Sequence, residues 1–192
     1  EESHVQGIND LVQLWTDPNR HCQLIPTRPD VALVAEPTLL EIVVAHRGAT
    51  RWKIRTSGRA CHSSQPELGT NAIYRMAQVV SALEDYAAGL ADRITPHHLC
   101  GNATLSVGLI SGGVSVNTVP DECLVEVDRR VIPGEDGMSV IEDVRDHLEQ
   151  HANVPFEFLP PWLVGIPLPD EGNQDWALQL QSHINDIAGP RE

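Results

Sequence analysis

The chain has 192 residues, with 13 Lys and Arg against 27 Asp and Glu and a formal net charge of -14. Such an acidic chain repels phosphate backbones, which excludes nucleic acid as an expected partner. Hydrophobic residues make up 41% of the sequence, but no apolar run approaches the roughly 20 residues that cross a bilayer, so we expect no membrane span and no membrane partner. The length suits one ordinary domain, or a small domain with additional pieces.

The N-terminal residues up to Glu36 have the pattern of a short helix followed by a buried strand. Apolar residues from Val5 to Leu14 recur at near-helical spacing, which predicts a short helix. Residues 30–35 form a nearly continuous apolar run that stops at Glu36, a pattern typical of a buried strand. Because open α/β sheets place ligand groups at the carboxyl ends of their strands, Glu36 is a candidate ligand for a divalent ion.

From Thr50 onward the pattern changes to that of a small α+β domain. Strands are predicted at 50–56, 103–110, 122–131 and 154–158, and helices between Asn71 and Gly89 and over 139–151. The order β-α-β-β-α-β predicts a ferredoxin-like unit in which two helices cover one face of the sheet. A linker at Pro160–Pro161 precedes a further predicted helix at 175–187.

Several polar residues could carry chemistry, and each also has a plain structural interpretation. Glu1 and Glu2 are an adjacent acid pair or a solvated terminus, and His62 lies in a polar turn where a surface histidine is common. Asn117 follows the Gly112–Gly113 turn, and turn chemistry alone explains an amide there.

One arginine pair and one histidine pair are the remaining candidates for a functional role. Only one of Arg129 and Arg130 can face the helices, since neighbours on a strand point to opposite sides, and a structural ion pair is the simpler interpretation. His97 and His98 lack a partner at metal-ligand spacing, so no role is predicted for them. The four cysteines form no C-x-x-C pair, which favours free thiols and a cytoplasmic location.

Four stretches, taken in order, resemble one family. They are Glu1–Glu2 with Gly7, which resembles a D-E-E-x-x-x-x-G motif without its first Asp; Ala35–Thr38; Gly58–Ala72; and Gly112–Gly113 through Asn117–Asp121 to Arg130. They are similar to the co-catalytic zinc amidohydrolases, which include acetylornithine deacetylase, succinyl-diaminopimelate desuccinylase, aminoacylase and the carboxypeptidase G type. The resemblance covers Glu1 to about Phe158.

The resemblance implies a role for each matched residue. Glu1 would be the general base, and Glu2 and Glu36 would bind zinc. His62 would reach across a dimer interface and donate to the oxyanion in the partner's site, Asn117 would support that site, and Arg130 would clamp the substrate's α-carboxylate. Two zinc ions, with cobalt as a substitute, are the implied cofactors of the complete enzyme.

The resemblance also implies an organisation: residues 1–46 as part of a metal-binding catalytic domain, 47–159 as the dimerising lid, and 160–192 as a return into the catalytic domain. The family's H-x-D pair, bridging Asp and C-terminal His cannot be located in this sequence. We therefore expect a truncated chain that is inactive by itself and pairs as a homodimer through the lid.

For the parent enzyme, the leading hypothesis is hydrolysis of N-acyl amino acids of the acetylornithine type, because residues 36–38 and 117–120 are most similar to that branch. Desuccinylation or cleavage of small peptides stays open. A dimerisation module alone and a regulatory domain that binds amino acids are the alternatives from other classes.

Overall fold

The computed structural model describes residues 6–189, and the chain divides into two compact units, Glu1–Ile42 and Val43–Glu192. In the first unit, helix α1 (Gln6–Thr16) forms where the helical spacing predicted it. The predicted strand at 30–35 is wrong: these residues have no strand structure, and Leu33 and Val34 are 73% and 79% exposed. An apolar run becomes a strand only where another strand pairs its backbone, and no described residue of this unit forms one.

The second unit holds a sheet and three long helices. In chain order its elements are β1 (Gly48–Ser57), β2 (Cys61–His62), α2 (Ala72–Ala88), α3 (Leu90–Arg93), β3 (Thr104–Gly112), β4 (Thr118–Val119), β5 (Glu122–Val131), α4 (Ser139–His151), β6 (Glu157–Phe158), β7 (Leu163–Val164) and α5 (Gln174–Ala188). The main sheet has the order β3-β5-β1-β6, and its pairs are antiparallel. This is the arrangement of a split βαβ unit and confirms the predicted α+β class.

The core lies between one face of this sheet and the helices α2 and α4. Side chains of β1 and β5 alternate between buried and half-buried positions, as expected when only one face of a sheet is covered. Trp52 and Val127 on the sheet belong to the same buried cluster as Met76 and Leu83 of α2 and Leu148 of α4. The period of two in the strands and of 3.6 in the helices therefore meet in one apolar layer.

The opposite face of the sheet is open and charged. Arg51 lies 2.7 Å from Asp128 across the β1–β5 pair, and Lys53 lies 2.7 Å from Glu126. Such cross-strand pairs of opposite charge favour the observed register over a shift by one residue, which would invert every side chain.

The edge beside β1 is made of two short strands instead of one. Leu159 N donates to Lys53 O at 2.9 Å, and Trp162 N donates to Arg51 O at 3.2 Å. Between them, Pro160 and Pro161 have no N–H, so the ladder is interrupted and then resumes as β7. The final strand predicted at 154–158 is confirmed only at its end, and the predicted linker carries an additional strand pairing.

Helices α2, α4 and α5 also form where the sequence predicted them. No helix in the described part of the chain is long and apolar enough to cross a membrane.

Candidate functional site

His62 and Asn117 meet in a small antiparallel pair at one end of the main sheet. Strand β2 pairs with β4, with Cys61 opposite Val119 and His62 opposite Thr118. Just outside this register, Ser63 N donates to Asn117 O at 2.9 Å. The structure thus brings together, in one exposed two-stranded pair, two residues that α2, α3 and β3 separate in sequence.

The hydrogen bonds of the His62 ring define which nitrogen can donate. Ser64 N lies 3.1 Å from His62 Nδ1, and a backbone N–H can only donate, so Nδ1 is an acceptor. Ser64 Oγ lies 2.8 Å from the same nitrogen. The neutral ring therefore carries its proton on Nε2, which no described residue engages. An imidazole held in this tautomer can donate a hydrogen bond to an external oxygen.

Glycines allow the segments around the β2–β4 pair to approach closely. A Cβ at Gly69 would lie 2.5 Å from Cys61 Sγ, and one at Gly112 would lie 2.8 Å from Cys123 Sγ. Gly113 has φ of +77°, a left-handed conformation that glycine adopts at little cost. Burial raises the pKa of the Cys123 thiol, which keeps this sulfur protonated beneath the glycine turn.

An open pocket of about 770 Å³ lies beside the β2–β4 pair. Its lining combines apolar side chains, among them Tyr74 and Val116, with polar groups from Ser63, Asn71 and Ser115. Asn117 accepts a 2.6 Å hydrogen bond from Ser115 Oγ through its own Oδ1, so the amide is held at the pocket's margin. A concave surface of this mixed character is suited to a small organic ligand or to a partner's side chains.

Arg130 lies on the open face of the sheet, near the end of β5. Its Nε donates to Asp128 Oδ1 at 2.8 Å, and the other oxygen of Asp128 accepts from Arg51 Nε at 2.7 Å. Asp128 therefore orients the Arg130 guanidinium. The two terminal nitrogens of Arg130 have no partner among the described residues. Such a fork can make two parallel bonds to a carboxylate.

Arg129 points the other way, as the alternation along β5 predicted. It is fully buried, and its Nη2 lies 2.5 Å from Glu135 Oε1. Glu135 also accepts from Ile132 N at 2.9 Å, so this pair closes the turn after β5. Arg129 has a structural role, and Arg130 is the arginine available to a ligand.

His62 and Arg130 of one chain lie at opposite ends of the sheet. The β2–β4 pair lies just before Glu122, the first residue of β5, and Arg130 is eight residues further along that strand. At the usual rise per residue, Glu122 and Arg130 are about 27 Å apart. A single substrate of amino-acid size cannot contact both.

Of the predicted acidic site residues, the structure describes Glu36 alone, because Glu1 and Glu2 lie outside the described residues. Glu36 is exposed, in a turn where Thr38 N donates to its carbonyl at 2.8 Å, and it belongs to no group of three or more metal-ligating side chains in the described chain. One exposed carboxylate does not by itself fit a pair of zinc ions.

Sequence reasoning missed the one cluster of metal-ligating side chains that the described residues do contain. It consists of His97, His98 and Asp170. The conclusion that these histidines lack a partner is corrected: Asp170 supplies one, but it comes from a distant segment, and spacing in sequence carries no signal of it.

The described residues thus form a βαββαβ unit with β3 at one edge of its sheet and His62 on the separate β2–β4 pair. The sequence profile of the peptidase dimerisation domain matches residues 44–154, and the chain belongs to this family of M20 peptidase domains.

Related proteins support the same assignment. A probable carboxypeptidase of Aspergillus clavatus is 34% identical over 140 residues, which cover 70% of this chain and 34% of that protein. Acetylornithine deacetylase of Vibrio cholerae is 40% identical over 114 residues, covering 57% and 29%. The chain spans about a third of the length of the curated relatives that it matches.

Solved structures share the fold. A di-peptidase of Saccharomyces cerevisiae aligns with a TM-score of 0.57 at 13% identity, covering 76% of this chain and 42% of that one. A tripeptidase of Staphylococcus aureus aligns with a TM-score of 0.51 at 18% identity, covering 78% and 37%.

Proposed function

We propose that the whole protein hydrolyses the amide bond of N-acyl amino acids, as acetylornithine deacetylase does, and that this chain supplies its dimerising lid. The observation that carries the proposal is the β2–β4 pair, which holds the His62 ring through Nδ1 and joins the next residue, Ser63, to Asn117 O by a 2.9 Å hydrogen bond. Relatives named acetylornithine deacetylase and carboxypeptidase support the reaction class.

His62 would stabilise the charge that develops on the carbonyl oxygen. Amide hydrolysis passes through a tetrahedral intermediate whose oxyanion needs an N–H donor held in place. Ser64 holds the imidazole with that donor outward, through contacts to Nδ1. Asn117 would support the substrate from the neighbouring strand.

Arg130 would bind the α-carboxylate of the substrate. Asp128 orients the guanidinium through its contact with Nε, and the Arg130 side chain is 45% exposed. The guanidinium is therefore both oriented and accessible. Since β5 carries Arg130 about 27 Å away from Glu122, at the end of the sheet where His62 lies, the two would serve different active sites. Each site would combine Arg130 of one chain with the partner's His62.

The dimer that this requires would form through the exposed edge of the sheet. Within residues 6–189, strand β3 pairs with β5 alone, and its second half carries exposed Leu109 and Ile110, which are 63% and 58% accessible. Tyr74 on α2 and Val116 in the following loop are also exposed. Pairing of two β3 strands about a two-fold axis would continue the sheet and cover these side chains.

Two zinc ions, or cobalt as a substitute, would be held by the catalytic domain of the whole protein. They would polarise the carbonyl and supply hydroxide. Glu1 as the base and Glu2 and Glu36 as ligands stay predictions, as do the boundaries 1–46, 47–159 and 160–192. The chain would be inactive alone, serving as a dimerisation module.

The four free cysteines support a reducing, cytoplasmic location as part of this proposal.

The reaction class is tested by assaying the whole protein on N-acetylornithine, N-succinyl-diaminopimelate and simple dipeptides. We expect turnover of N-acetylornithine to exceed that of the other two. Faster turnover of the succinyl compound or of dipeptides would replace the acetyl assignment, and no amide hydrolysis at all would refute the proposal.

A further inference from the structure

His97, His98 and Asp170 converge although none of them belongs to the proposed substrate chemistry. Nε2 of His97 lies 3.3 Å from Asp170 Oδ1, and Nε2 of His98 lies 3.2 Å from Asp170 Oδ2. We propose that these three side chains form a binding site for one divalent ion of the zinc or cobalt type.

The donor set selects the class of ion. Two imidazole nitrogens and one carboxylate suit zinc, cobalt, nickel and copper, whereas magnesium and calcium prefer oxygen ligands only. Three protein ligands also leave a position for water, as in many open zinc sites.

The three donors are close enough for one ion to contact. The two histidines face different oxygens of Asp170, with nitrogen–oxygen distances of 3.3 and 3.2 Å. The three donor atoms all lie within 4.8 Å of one another, so small side-chain rotations would complete the site.

The environment of Asp170 favours a bound cation. The residue is 8% exposed, and among the described residues only the two histidines form ion-pair contacts with its carboxylate. Burial of a carboxylate is costly unless a cation or several donors compensate for the lost water. A divalent ion would place two positive charges beside this carboxylate.

His97 must change its tautomer when the ion binds. The backbone N–H groups of Leu99 and Cys100 both lie 3.3 Å from its Nδ1, which places the ring proton on Nε2, facing Asp170. The ion would take the place of that proton, which would move to Nδ1 and displace these two long contacts. Binding would therefore rearrange the turn from His97 to Gly101.

The location gives the ion a stabilising role. Asp170 follows Leu168, whose backbone pairs with His46 through hydrogen bonds of 3.0 and 3.1 Å. Asn173 also donates to Val44 O at 2.9 Å. An ion joining Asp170 to the turn before β3 would secure the segments that lead into and out of the sheet, and the melting temperature would rise with the logarithm of the free ion concentration above its dissociation constant.

Cobalt titration of the metal-free chain tests the site, by visible absorption and calorimetry. We expect one ion per chain with the intense absorption of a four-coordinate site, and at least tenfold weaker binding in His98→Ala and Asp170→Asn. His98→Ala should fold normally because that side chain is 66% exposed. The control His151→Ala removes a histidine of the same unit and should bind as the unaltered chain does.

Absence of the absorption band would overturn the proposal. So would a cobalt affinity in His98→Ala and Asp170→Asn equal to that of the unaltered chain. Glu36→Gln separates it from the zinc ligation proposed for the whole enzyme. The cobalt signal should persist in Glu36→Gln; its loss there, with retention in His98→Ala, would place the ion elsewhere and also overturn the site.

Discussion

Among single residues, the tautomer of His62 determines whether the β2–β4 pair can offer a hydrogen-bond donor. An Nε2 proton facing outward makes the ring a hydrogen-bond donor without requiring a positive charge. Sequence reasoning named His62 but could not name Ser64 as the group that fixes the ring, because that depends on a backbone N–H within a two-residue turn. The geometry assigns Ser64 as a positioning residue.

His62→Ala is expected to lower kcat of the whole protein by about 10²–10³-fold, the cost of losing one oxyanion donor. The side chain is exposed, so circular dichroism and metal content should be unchanged. Ser64→Ala is the companion variant: the Ser64 N–H contact remains, and a much smaller decrease is expected. Steady-state kinetics that show unaltered turnover in His62→Ala would remove His62 from the mechanism.

A second residue-scale prediction concerns pH. Burial is the main cause that lowers the pKa of His147, followed by the nearby positive potential of His151, while Ala82 O raises it. A histidine whose pKa is lower in the folded state binds more protons when unfolded, so the free energy of unfolding falls as pH drops below about 6.5. Above that pH the contribution is fully present.

His147→Gln should therefore flatten the pH dependence of stability between pH 7.5 and pH 5, measured as the midpoint of urea unfolding. His183→Gln, an exposed residue of α5, serves as the control and should retain the decrease of the unaltered chain. An equal loss of stability at pH 5 in His147→Gln and the unaltered chain would contradict the assignment.

At the scale of elements, local periodicity was sufficient for most of the fold. The strands β1 and β5 and the helices α2 and α4 bury one face each, so their patterns carry the information. The strand at 30–35 failed because pairing needs a neighbour that no local pattern supplies. Strand β7 was missed because two prolines predict a break, although the ladder continues after them.

The candidate site divides in the same way. His62 and Asn117 lie in recognisable turns, so their motifs were visible. Asp170 approaches His97 only through the folding of segments 73 residues apart in sequence, and no spacing rule reports such a contact.

The start of α2 gives a test of local structure. Asn71 Oδ1 accepts hydrogen bonds from Ile73 N at 2.9 Å and Tyr74 N at 3.2 Å, which satisfies two N–H groups of the first turn. Asn71→Ala should lower the free energy of unfolding by about 1 kcal/mol, whereas Asn71→Asp, which keeps an acceptor oxygen, should lower it much less. Equal unfolding midpoints for Asn71→Ala and the unaltered chain would show that this cap contributes nothing.

At the scale of the whole molecule, the exposed β3 edge is where two copies are expected to pair. Ile110→Arg places a charge on that edge and should shift the protein from dimer to monomer in sedimentation equilibrium. Ile166→Arg is the matched control, because Ile166 is 86% exposed but lies outside β3, and it should leave the dimer intact. A dimer that persists in Ile110→Arg, or a monomer in Ile166→Arg, would move the interface elsewhere.

In the proposed enzyme, each active site takes its histidine from one chain and its arginine from the other. Two inactive variants of the whole protein, His62→Ala and Arg130→Ala, can be mixed under conditions that exchange subunits. In each mixed dimer, one site would then contain both native residues and the other neither. Random mixing predicts recovery of about a quarter of the native activity. Mixed dimers that form, by mass spectrometry, yet stay inactive would contradict the shared site.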